Sequence, residues 1–273
     1  QEQSKAKSGQ ESRNAAEESS KQFRTAASLA AALHSPDQPP GEQAECLLRA
    51  AGYYLKCTDK LDVQNALALL EKAPKSAPNV AGEVSYLKAV AWEQLGEAEK
   101  AIEGYRSCLS AGHPLQARAR YQLVHLMLAL PVAKEDRAKR FEQAAEELAP
   151  NLDPALHESH PEEAEKSAFL MSEIAYERRD YVQAENLLSA ALRQYPKNAS
   201  AINARFLLAR CFWFQAGKLN KALYEEGVPE PEREAARQRR NELLEKARQI
   251  AEPLEGELIA RERDQKLSDG DKH

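Results

Sequence analysis

His157 and His160, three residues apart in the segment HESHPEE, come nearest in this chain to a metal-binding pattern. Such spacing sets two imidazoles on one helical turn, with Glu158, Glu162 and Glu163 at hand as oxygen ligands. Pro161 interrupts that turn and no cysteine lies near, so the segment reads as a polar loop, and no metal or other cofactor is assigned. A basic group, Arg233, Arg237 and Arg240 with Arg239 and Arg248 beside it, follows one helix face and has the chemistry to hold phosphate. Glu234, Glu242 and Glu245 interleave with those arginines, which makes the face a lattice of solvated ion pairs.

Nucleophilic and acid–base chemistry have little to work with. No glycine-rich phosphate loop, GxSxG elbow or HExxH pair occurs, with only 11 glycines spread along the chain. His125 sits in an apolar helical stretch and His113 in a turn, neither at an informative spacing from a serine or cysteine. Four cysteines, Cys46, Cys57, Cys108 and Cys211, lie far apart with no CxxC pair. On one helix Cys46 and Cys57 would stand about 16 Å apart, too far for a disulfide. All four read as small hydrophobes. No residue is assigned to catalysis.

The elements that position these residues follow from composition. The chain holds 47 Ala and 33 Leu against 8 Val, 5 Ile and 2 Thr, so helix formers far outnumber the β-branched residues a sheet requires. An all-α fold is expected, which excludes Rossmann, TIM-barrel and sandwich architectures. Lys plus Arg is 38 and Asp plus Glu is 43, a net charge of −5, whereas a nucleic-acid-binding domain usually shows a basic pI above about 9. The apolar run Leu123 to Leu130 falls short of the roughly 18 residues a membrane helix needs. Neither a nucleic-acid partner nor a membrane span is expected. An opening Gln1 in place of Met reads as the mark of a preceding portion removed or omitted, which leaves the compartment open.

Residues 1–21 contain no large hydrophobe and read as a flexible polar tail. From Phe23 a helix carries Ala26, Leu29, Ala30 and Leu33 and stops before the proline-rich segment Ser35 to Gly41. Apolar periodicity then predicts helices over 43–57, 61–73, 80–95, 97–110, 115–129, 134–148, 162–178, 181–194, 199–216, 231–251 and 254–267. Gly96 is placed to close one of them in the left-handed conformation.

The second helix of each pair repeats a pattern: Ala66, Leu70, Ala73, Pro78; Ala101, Tyr105, Cys108, Pro114; Ala138, Glu142, Ala145, Pro150; Ala184, Leu188, Ala191, Pro196. A small residue lets two helices approach, a large one a turn later fills the adjoining groove, and proline ends the ladder. One such hairpin cannot bury both faces, so each must stack on the next.

In these residues the chain resembles the tetratricopeptide repeat (TPR) family. Tyr86 to Pro114 matches best, through Ala89, Trp92, Leu95, Gly96, Ala101, Tyr105 and Pro114. The segment AYERRDYVQAENLLSAALRQYP follows, and YPKNASAINARFLLARCFWFQAG is similar to repeats of bacterial envelope-associated TPR proteins. The resemblance implies an α-solenoid of about five antiparallel helical hairpins over residues 22–217, with a long loop at 150–161. An irregular insertion at 218–230, capping helices over 231–268 and a tail at 269–273 complete the expected organisation.

The resemblance also implies the function: a non-catalytic scaffold that binds a peptide or helix of another protein in its concave groove, in a bacterial envelope setting. It places Tyr86, Val90 and Glu93 of one repeat and Phe169, Glu173 and Tyr176 of another on the groove wall, with Leu207 and Cys211 extending it. An RNA reader of the pentatricopeptide type and the repeat arm of a larger enzyme are the alternatives. The first should present a basic groove, which Glu83, Glu93 and Glu173 oppose.

Overall fold

A computed structural model describes residues 2–57, 59–74, 78–110 and 113–270, and every regular element among them is helical. The chain divides into two compact units, Gln1–Leu130 and Pro131–His273. The first holds α1 (Glu2–Ala32), α2 (Pro40–Tyr54), α3 (Lys60–Lys72), α4 (Pro78–Gln94), α5 (Ala98–Ser110) and α6 (Gln116–Ala129). The second holds α7 (Arg137–Leu148), a 3-10 turn (Ala149–Leu152), α8 (Pro154–Ser159), α9 (Pro161–Glu177), α10 (Tyr181–Gln194), α11 (Ala201–Tyr224) and α12 (Glu230–Gly270).

Local chemistry sets the helix ends. Asp59, Asp153 and Asp180 accept backbone N–H bonds from Leu61, Ala155 and Gln183, which satisfies donors that the first turn leaves open. Proline opens α2, α8 and α9, where its missing N–H costs nothing. Between α4 and α5, Gly96 adopts φ 79° while Glu97 N–H reaches back to the Trp92 carbonyl. The turn between α9 and α10 repeats that geometry, Asp180 N–H bonding the Ala175 carbonyl, but Arg179 takes the left-handed position at φ 61°.

In each unit the helices pack chiefly on their neighbours in the chain, with α2 also touching α4, and α9 touching both α7 and α11. The repeat register holds where Ala66, Leu70, Ala101, Tyr105, Ala184 and Leu188 are fully buried. It fails in α7: Ala138 and Glu142 face solvent, and Ala144 and Leu148 turn inward instead. Close approach of α4 and α5 depends on Gly104, where a Cβ would lie 2.9 Å from that of Ala89.

Six expectations about boundaries and faces are corrected. Residues 2–21 continue α1, because Glu, Gln, Lys and Ala extend a helix already begun far more cheaply than they could start one. In that helix Ala27 and Ala30 face inward, while Leu29 and, just past its end, Leu33 are exposed. The segment 150–161 is a 3-10 turn and a short helix, tied down by buried Asn151, whose amide donates to Ser167 Oγ at 3.0 Å. The expected insertion at 218–230 is partly helical, since α11 continues to Tyr224. The expected pair 231–251 and 254–267 is one helix running through Pro253, held by buried Leu243 and Leu254 and by a two-pronged Arg205–Glu257 pair with both N–O distances 2.6 Å. The expected tail at 269–273 begins within α12, and residues 271–273 lie outside the described residues.

Candidate functional site

The two sets of groove candidates lie in different units. Tyr86, Val90 and Glu93 share a face of α4. The Tyr86 ring is buried, its centroid 5.8 Å from that of Tyr105 and 5.9 Å from the Arg118 guanidinium. Val90 is half-buried against the same core, and Glu93 accepts a hydrogen bond from the Tyr105 hydroxyl. Burial, then that bond, pushes the Tyr105 pKa far above the usual phenol range.

Phe169, Glu173 and Tyr176 lie along α9. Phe169 is buried beside the Tyr195 ring, and Glu173 accepts from Asn203 Nδ2 at 3.0 Å. Tyr176 is also largely buried but forms part of the wall of a cleft of about 930 Å3 in the second unit. Burial raises its pKa, with Arg210 pulling the other way.

The cleft is assembled from the α9–α10 turn, α11 and α12. Tyr181 stacks on Phe214 with centroids 4.6 Å apart and planes 8° from parallel. Trp213 meets Phe214 edge-on and is 58% exposed, an unusual position for the largest side chain type. The Arg210 guanidinium lies 5.3 Å from the Tyr176 centroid and 5.5 Å from those of Phe206 and Phe214. Lys218 caps Tyr181 at 5.4 Å, and Arg179 and Arg240 complete the cationic rim. Such a surface has the chemistry to hold apolar or ring groups on its walls and anions at its edge.

Leu207 and Cys211, expected to extend the groove, are buried in the core, and the outward face of α11 is set one residue earlier at Phe206 and Arg210. Arg210, Trp213, Phe214 and Lys218 were missed in the sequence, although Phe206, Arg210 and Phe214 at four-residue intervals mark an aromatic helix face.

The other candidates are otherwise engaged. His157 Nδ1 lies 2.7 Å from the Tyr195 hydroxyl and 3.1 Å from the Gln194 amide, and His160 Nδ1 lies 2.9 Å from Ser159 Oγ. No group of three or more His, Cys, Asp or Glu that could hold a metal is found among the described residues. Arg237, Arg239 and Arg248 pair with Glu234, Glu242 and Glu245, whereas Arg240 turns to the cleft. No helix of the described residues is long and apolar enough to cross a membrane. Comparison with protein-family models, curated proteins and solved structures finds no match to this chain.

Proposed function

We propose that this chain is a non-catalytic scaffold of TPR-like helical hairpins that binds a peptide or helix of a partner protein. The observation that carries the reading is the aromatic cleft of the second unit, where Trp213 stands 58% exposed above a stack of Tyr181 and Phe214. A ring held in water at the mouth of a concave, partly apolar pocket supplies a binding anchor. Tyr176 serves as a wall of that site, whereas Tyr86 and Phe169, expected on a groove wall, are buried in the cores of their own units. Two features support the solenoid: packing between chain neighbours within each unit, and the same turn geometry at Gly96 and Arg179.

The test is selection of an unbiased peptide library against the full chain, with the Trp213→Ala variant as counter-selection. Enrichment of peptides that bind the native chain at least about tenfold more tightly than the variant is expected for loss of an aromatic anchor. A library that yields no Trp213-dependent binder overturns the reading.

A further inference from the structure

We infer that the segment held in this cleft is acidic: a stretch of polypeptide with clustered carboxylates around a ring or apolar side chain. The inference rests on the reading of the cleft as a peptide site and adds the chemistry of the occupant.

Four cations from separate parts of the chain meet around one cleft: Arg179 from the α9–α10 turn, Arg210 and Lys218 from α11, and Arg240 from α12. None of the four forms an ion pair among the described residues, while Arg137, Arg205, Arg237, Arg239 and Arg248 of the same unit each meet a glutamate. The carboxylate that does line the cleft, Glu177, is already engaged by Arg137 at 2.7 Å. A chain of net charge −5 therefore gathers unneutralised positive charge in one place.

The arginines are also prepared to donate. Arg210 is held over three rings by face contacts that consume none of its N–H groups, which leaves its planar fork open to a carboxylate. Nε of Arg240 is buried without a hydrogen-bond partner, and its Nη1 reaches Asn220 Oδ1 only at 3.5 Å. Arg240 thus makes no short hydrogen bond among the described residues, and its guanidinium keeps donors for a carboxylate. Mutual repulsion among the four cations is relieved when one binds.

Polypeptide is favoured over nucleic acid by what surrounds the cleft. Away from Arg240, α12 presents Glu234, Glu242, Glu245 and Glu252 interleaved with its arginines, so the positive region is a spot and not the extended stripe that tracks a phosphate backbone.

The experiment uses the full chain and three fluorescein-labelled probes: a peptide mixture of Glu with Trp or Phe, the same mixture with Gln for Glu, and an oligouridylate of equal length. Anisotropy is read for the native chain, Arg210→Gln, Arg240→Gln, Trp213→Ala, and the control Arg239→Gln, whose residue pairs with Glu242 outside the cleft. The acidic mixture should bind at least about tenfold more tightly than the Gln mixture, and Arg210→Gln or Arg240→Gln should erase most of that difference, as loss of a charge-assisted bond requires. Arg239→Gln should change nothing, and Trp213→Ala should weaken both mixtures.

If both mixtures bind equally and both depend on Trp213, the peptide site stands and the acidic occupant is overturned. If neither depends on Trp213, the underlying reading falls instead. Absence of Arg210-dependent binding by the acidic mixture overturns the inference, as does tighter Arg210-dependent binding of the oligouridylate.

Discussion

The hydroxyl of Tyr105, a side chain with no solvent exposure, donates to Oε2 of Glu93 at 2.5 Å and so ties the centre of α5 to α4. Removing only that hydroxyl, by Tyr105→Phe, should lower stability by about 1.5–3 kcal/mol, the usual range for a bond to a charged group. Urea unfolding at neutral pH measures it. The folded phenol keeps its proton well above its usual range, whereas the unfolded one loses it near about pH 10. This contribution to stability is therefore complete below about pH 10 and is lost as pH rises beyond it, and Tyr105→Phe should flatten that alkaline decline.

The thiols set an earlier alkaline limit. Burial pushes Cys108 up to about 11 and Cys211 up to about 12, while an unfolded cysteine ionises near about 8.5. Folding keeps both protonated, so stability should begin to fall above about pH 8.5 and continue falling through the folded values. Ellman's reagent at neutral pH should modify half-exposed Cys46 in the native chain, with Cys57, Cys108 and Cys211 reacting only on unfolding. Fast native-state reaction of Cys211 would contradict its burial.

Gly104→Ala sets two effects against each other. Alanine is the better helix former by about 1 kcal/mol, yet its Cβ would lie 2.9 Å from that of Ala89 and 3.2 Å from the Ala89 Cα. Backbone cannot yield as the end of a flexible side chain does, so the clash should prevail with a net loss of about 1–2 kcal/mol. Thermal melting distinguishes the outcomes, since propensity alone would raise Tm.

Arg179→Gly should move stability and binding in opposite directions. A left-handed backbone costs a residue with a Cβ about 1–2 kcal/mol, so glycine should stabilise the α9–α10 turn by about 1 kcal/mol. The same change removes a cation from the rim of the cleft and should weaken the acidic probe several-fold. A gain in Tm with unchanged affinity would remove Arg179 from the site.

Helical class was legible because alanine and leucine leave no material for a sheet, and the turn at Gly96 was legible because its backbone requirement selects the residue. The same turn at Arg179 was hidden by a side chain that rarely adopts that conformation. In α7 the spacing rule accepted Ala138, Glu142 and Ala145 without a large apolar member, whereas burial chose Ala144 and Leu148. Within the site, Tyr176 was expected only through the resemblance to the TPR family, which placed it on a groove wall. The cationic rim was not, because Arg179, Arg210, Lys218 and Arg240 come together only when three elements pack, and spacing along one helix carries no trace of that convergence.

Pro253 leaves the Gln249 carbonyl without its amide donor in the middle of α12. Beyond that gap, the Arg205–Glu257 pair fastens the helix to α11 from a partly exposed position. Past Pro253, α12 is thus held, among the described residues, by one buried apolar side chain, Leu254, and by one ion pair, so loss of Glu257 should release it while the buried layers around Leu188 and Cys211 stay shut.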